Sequence, residues 1–137
     1  MAKTEQQIER DFYMLVTASS LGQALQGNVY RADERPDNAD TEDLVIKFLS
    51  GLDEQEQIGV VIFNIYVKDI TNVQGRKVSN KPRIAELQEL LQTFVNENNF
   101  TNTEYKLQTD GSPASQAVDG IEQHIIFARI KFYRLNV

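Results

Sequence analysis

Gln57-Ile58-Gly59-Val60-Val61-Ile62-Phe63-Asn64-Ile65-Tyr66-Val67-Lys68-Asp69 is the run whose reading decides the fold. β-Branched and aromatic residues dominate it, which predicts a long central strand. By the period of two, Val61, Phe63, Ile65 and Val67 share one face, and Val60, Ile62, Asn64 and Tyr66 share the other. Both faces are largely apolar, so both need cover.

Upstream, Leu44-Val45-Ile46-Lys47-Phe48-Leu49 reads as a second strand, with Leu44, Ile46 and Phe48 on one face. Its connection to the central strand is too short for a helical crossover, so the two pair antiparallel. Val29-Tyr30-Arg31-Ala32 is a shorter strand, closed by the turn chemistry of Asp33-Glu34-Arg35-Pro36-Asp37-Asn38. Pro36 cannot donate to a ladder, so this end belongs at a sheet edge or outside the sheet.

Further upstream, Thr4 is suited to cap a helix whose Ile8, Phe12, Leu15 and Val16 recur at helical spacing. Ser19-Ser20 and Gly22 weaken it, and Gly27-Asn28 stops it. Downstream, residues 70–79 read as an exposed loop. Asn80 and Pro82 then open a second helix with the stripe Ile84, Leu87, Leu91, Phe94 and Val95. Residues 103–109 form a fourth strand, 110–120 a small, polar, mobile tip, and Gln123 to Leu135 the longest strand. The expected fold is α+β in the order α-β-β-β-α-β-β. It has a mixed, mainly antiparallel sheet of about four to five strands with two helices packed on one face. Two helical stripes cover one face of such a sheet. The other keeps apolar side chains for a folded-over hairpin or, by preference, another subunit.

The 137 residues suit one domain, 1–137, large enough for a real core. Apolar content of 41% and charged content of 25% place the chain among globular proteins. A net charge of −6 argues against a nucleic-acid coat. Cysteine is absent, which removes disulfides, thiol catalysis and thiolate metal sites. The polar start, Met1 to Gln7, shows no signal-peptide pattern, and no stretch approaches the ~18 apolar residues of a membrane span. An intracellular protein without cofactor is the expectation.

No residue pattern points to catalysis. His124 is the single histidine, and no Ser or Cys nucleophile motif stands near it. Glu42-Asp43 and Asp53-Glu54-Glu56 lack the spacing of a calcium loop and read as solvated acidic loops. The scattered glycines form no phosphate loop. Arg76-Lys77 with Lys81 and Arg83 is the one basic cluster. It lacks interleaved aromatics, so it reads as a solvated loop or a contact for an acidic patch.

Gly27-Asn-Val-Tyr-Arg31, Arg35-Pro36-Asp-Asn38, Glu42-Asp-Leu-Val-Ile46 and Gly59-Val-Val-Ile-Phe-Asn-Ile-Tyr-Val-Lys-Asp69 together resemble the tail completion and tail terminator proteins of tailed phages and prophages. The likeness extends over the whole element order; in the final 40 or so residues it is one of pattern. It implies a structural protein, commonly a hexameric ring, that caps the tail tube in the host cytoplasm and stays in the virion. Its implied partners are further copies of itself, the tail tube protein and the head-tail connector protein, with no membrane and no specific nucleic acid. On this resemblance the loops 50–58 and 109–121 supply the assembly contacts, through Asp53, Glu54, Glu56, Asp110, Ser112 and Asp119. Arg76 and Lys77 supply a further contact, and Arg35 pairs with Glu42 or Asp43 to hold the turn. Head-tail completion is an alternative role, and a small acidic binding module of antitoxin or immunity type is another.

The helical stripe is directly testable. Leu87→Ala is expected to cost about 2–5 kcal/mol in a denaturant titration, the range for a truncated core leucine; a loss near zero would place the stripe in solvent.

Overall fold

Phe12, at the centre of the first helix, touches aromatic rings from the middle and the edge of the sheet, and the fold is arranged about that contact. Its ring lies 6.2 Å from Phe63, 5.8 Å from Phe132 and 5.2 Å from Tyr105, centroid to centroid. The computed structural model describes residues 2–52, 56–100 and 103–135, with residues 52 and 56 described by backbone alone.

Along the chain these residues form α1 (Glu5–Ala18), α2 (Ser20–Ala24), β1 (Val29–Arg31), β2 (Leu44–Leu52), β3 (Glu56–Lys68), β4 (Ile70–Thr71) and β5 (Lys77–Val78). α3 (Lys81–Glu97), β6 (Tyr105–Thr109), β7 (Ala114–Ala117) and β8 (Gln123–Leu135) follow. The fold is α+β, with a mixed, mostly antiparallel sheet. Its strand order is β1-β2-β3-β8-β6, and β7 also pairs with β8. β3 and β8 pair along their full lengths, from Glu56↔Leu135 to Lys68↔Gln123, and form the spine. β2 pairs antiparallel with β3 as expected, through a bulge between Phe48 and Ser50. β1 runs parallel to β2, which the residue pattern did not indicate.

Several expectations are corrected in detail. Ser19 divides the first helix: in extended backbone it ends α1 through its N–H to the Val16 carbonyl, and its hydroxyl accepts the Gly22 N–H to open α2. Thr4 caps α1 in a reciprocal box with Gln7. Residues 70–79 are a small hairpin, β4–β5, closed by Asn72, whose side-chain oxygen accepts the N–H groups of Gln74 and Arg76. Within 110–120, read as a mobile tip, Ala114–Ala117 is an edge strand on β8. Small polar residues hid it, because its order comes from β8 and not from its own burial. β6 and β7 thus lie end to end along one edge of β8, and residues 110–113 bulge between them.

All the helices cover the same face. Ile8, Phe12 and Val16 of α1, Leu21 of α2 and the Ile84, Leu87, Leu91, Phe94 and Val95 stripe of α3 are buried against Leu44, Ile46, Val61, Phe63, Ile65, Ile126, Ile130 and Phe132. Gly59 is needed where β3 meets β8: a Cβ there would lie 2.5 Å from the Phe132 ring and 2.4 Å from the Ser50 carbonyl oxygen. Its missing side chain lets that ring close over the strand.

Polar clusters close the two ends of the core. At one end Lys3 bridges Asp11 (2.6 Å) and Glu104 (2.7 Å), and Glu104 also pairs with Arg134 (2.6 Å). Burial, and then the adjacent Asp11, push the Tyr105 hydroxyl above its ordinary pKa, so it stays protonated and donates to Asp11 at 2.7 Å. At the other end the fully buried Asp43 carboxylate accepts from the Asn28 N–H (2.7 Å), the Thr41 hydroxyl (2.5 Å) and Arg35 Nε (2.9 Å). The Arg35 guanidinium lies 3.7 Å from the centre of the Tyr66 ring and also reaches the Thr41 carbonyl. Of the pairings left open for Arg35, the structure has Asp43. Glu42 takes Arg83 instead, in a bidentate pair at 2.6 and 2.9 Å, and Arg83 further donates to the Ala24 carbonyl. That joins the end of α2 to the start of α3.

Desolvation alone would raise the Asp43 carboxyl; its hydrogen bonds and Arg35 outweigh that and hold it below its ordinary value. A depressed folded-state pKa stabilises the protein above the unfolded value of about 3.9 and loses that contribution as pH falls through the folded value. Wild-type stability in chemical denaturation is therefore expected to fall more steeply in acid than that of Asp43→Asn. At neutral pH, Asp43→Ala should cost about 3–5 kcal/mol, and a cycle with Arg35→Ala should show coupling of about 1 kcal/mol or more. Zero coupling would remove the ion pair as a determinant of the turn.

Candidate functional site

With the helices on one face of the sheet, the other face is left partly open to solvent. Strand register places Tyr30 and Val45 there, with Ile58, Val60, Ile62, Asn64 and Tyr66 of β3 and Ile125, Phe127, Arg129, Lys131 and Tyr133 of β8. Most are half-buried, and Phe127 is exposed beside Asn64 at the middle of the spine. Ile62 alone is shielded by its neighbours. Across the strands the apolar side chains are interleaved with polar ones, Val60 opposite Lys131, Ile62 opposite Arg129 and Phe127 opposite Asn64, and partly exposed apolar side chains of this kind are available to an interface.

Among the described side chains, the charges that the strands of this face carry are of one sign, while Asp33 and Glu34 line a hollow with Lys47, and Asp40 one with Lys68. Lys47 of β2, Lys68 of β3, Lys106 of β6 and Arg129 and Lys131 of β8 all fall on this face by register. Lys106 and Lys131 stand over the Tyr133 ring at 5.7 and 5.3 Å. Arg129 pairs at 3.2 Å with Asp110, which follows β6. Among the described side chains no strand residue on this face is a carboxylate. Arg129 and Lys131, two apart in β8, were the signal visible in the sequence; Lys47 and Lys106 join them only through strand register.

Those residues expected to make assembly contacts whose side chains are described lie around this face and do not gather into one site. Asp53 and Glu54 lie outside the described residues. Glu56 starts β3 opposite Leu135, and its side chain lies outside them too. Arg76 and Lys77 occupy the exposed β4–β5 hairpin at the other end of the sheet, where Lys77 reaches Glu122 at 3.9 Å. The exposed Asp119 sits in the β7–β8 turn at that same end. Asp110 and Ser112 belong to the bulge on the edge strand, and Ser112 lines a shallow groove with Gln88, Glu89 and Gln92 of α3. The hairpin, the turn and Asp40 border a second hollow with Lys68, Asp69 and Gln123.

His124 is not isolated: its Nδ1 lies 2.6 Å from Asp69 Oδ1, joining the start of β8 to the end of β3. Among the described residues, no group of three or more His, Asp and Glu side chains is placed to hold a metal ion, and no helix is long and apolar enough to cross a membrane. Compared with family models and with curated proteins, the chain matches none.

The Arg129–Asp110 pair tests whether these surface charges serve the fold. Both side chains are well exposed, so Arg129→Gln with Asp110→Asn should change stability by no more than about 1 kcal/mol in urea. A larger loss would make the pair a structural clasp of the edge strand.

Proposed function

We propose that this chain is a structural assembly protein that acts as a phage or prophage tail completion protein, capping the tail tube and offering the surface to which the head joins. The observation that carries the proposal is the apolar, half-exposed sheet face, carried by a chain whose element order and Tyr66-containing central strand resemble that family. The mechanism is association, with no bond made or broken. Copies of the chain meet one another through the sheet and its edge, while the hairpin Arg76-Lys77 and the turn at Asp119 reach toward the tail tube or the connector. The isolated protein needs no cofactor on this reading, and it works in the host cytoplasm until it is built into the virion.

Head-tail joining without control of tail length is the neighbouring role. A separate reading, an acidic module that binds a basic partner, draws on the exposed carboxylates Asp33, Glu34, Asp37 and Asp40 in the turn between β1 and β2.

Negative-stain microscopy of particles from the parent phage or prophage lacking this gene separates the three. Free heads beside unjoined tails of uncontrolled length are the expected result. Unjoined tails of normal length would move the role to head-tail joining, and intact infectious particles would replace assembly with the binding-module reading.

A further inference from the structure

The strands of the open sheet face carry cations and α3 carries exposed carboxylates, with Asp33 and Glu34 bordering the sheet face near Lys47, Asp40 near Lys68 and Asp110 beside Arg129. On the sheet, the described strand-borne charges are Lys47, Lys68, Lys106, Arg129 and Lys131, around Val60, Ile125 and Phe127. On the helical side, α3 has no cation after Arg83, and it exposes Glu86, Glu89 and Glu97. Glu86 is engaged by Arg83 of the same helix; Glu89 lines the groove shared with Ser112. Besides Arg83, α1 and α3 expose the cations Arg10 and Lys81 against the carboxylates Glu5, Glu86, Glu89 and Glu97. α1 adds Met14, an exposed apolar side chain on the same side of the molecule.

From this polarity we infer that the sheet face of one copy docks on the α3 side of the next, head to tail. A two-fold pairing of sheet face on sheet face would set Lys47, Lys106 and Lys131 of one copy against the same cations of the other. Like charges brought together across an interface repel, so the face is unsuited to itself and suited to its own opposite side. A head-to-tail contact is heterologous, and it closes into a ring or runs on as a filament according to its rotation. The inference deepens the assembly reading and rests on it for the premise that copies meet; the gene-deletion phenotype is a separate measurement, so either can fail alone.

Single-stranded nucleic acid is the competing occupant for a sheet with aromatics and cations. The geometry favours protein. The Tyr133 ring already carries Lys106 and Lys131, the Tyr66 ring carries Arg35, and a chain of net charge −6 repels a polyanion at long range.

Complementation of two surface variants tests the docking, by sedimentation velocity on the full chain with circular dichroism to show that each variant is folded. Lys47→Glu with Lys131→Glu spoils the sheet face; Glu86→Lys with Glu89→Lys spoils the α3 side. Wild type is expected to self-associate in about 50 mM salt and to dissociate in about 500 mM, because salt screens the attraction. Each variant alone should associate about tenfold more weakly or less. An equimolar mixture should recover a one-to-one dimer, since the intact sheet face of one variant meets the intact α3 side of the other. The inference is overturned if the α3 variant self-associates like wild type, if the mixture stays monomeric, or if wild type stays monomeric at low salt at several hundred micromolar. It is also overturned if wild type instead binds an oligothymidine probe through Lys47 and Lys131.

Discussion

Burying the Asp43 carboxylate constrains the rest of the fold. A charge removed from water must be met by hydrogen bonds and an opposite charge, and the chain supplies them from three places: the Asn28 N–H, the Thr41 hydroxyl and Arg35. Meeting them brings β1 beside the start of β2 and folds the turn between them under Tyr66. It also requires Gly27, because a Cβ at that position would lie 2.2 Å from Asp43 Oδ1. The neighbouring Glu42 turns to Arg83 and, through it, to the Ala24 carbonyl. Adjacent carboxylates therefore anchor different layers: one fixes the edge of the sheet and the other fixes the helices above it.

That anchoring decides which face of the sheet is covered. With α2 and α3 tied to the start of β2, their apolar stripes descend on Phe63, Ile65 and Ile130, and Phe12 fills the space between Phe63, Phe132 and Tyr105. The uncovered face keeps a milder apolar character, with Phe127 and Ile125 near its middle and lysines and arginine around them. Such a surface stays soluble through its charge and can still release water when a complementary surface arrives.

Much of the fold was legible in the sequence. Residues 57–69 read as a central strand because their side chains satisfy a period of two, and α3 because Ile84, Leu87, Leu91, Phe94 and Val95 satisfy 3.6; both elements formed as read. The division of the first helix at Ser19 was legible only as a weakening, since a hydroxyl that caps two helices at once looks in sequence like any poor helix former. β7 was not legible: Ala114-Ser115-Gln116-Ala117 has no apolar alternation, and its extended form is imposed by pairing with β8. The candidate site was legible in part. Loop positions such as Asp110 and Asp119 were visible as loops, whereas Lys47 and Lys106 carried no local mark of sharing a face with Lys131.

By itself, the sequence determined the longer strands and helices, that one face of the sheet would be buried under two apolar stripes, and that no nucleophile or phosphate-loop motif accompanies them. These are properties of neighbours along the chain, where spacing alone sets which side chains share a face. Tertiary structure decided the partners: Arg35 with Asp43, Arg83 with Glu42, β1 parallel to β2, and the gathering of cations from separate strands onto one surface. Those depend on strand register and on buried charges finding their counterions across 8 residues for Arg35 and Asp43 and 41 for Arg83 and Glu42, which local periodicity cannot encode.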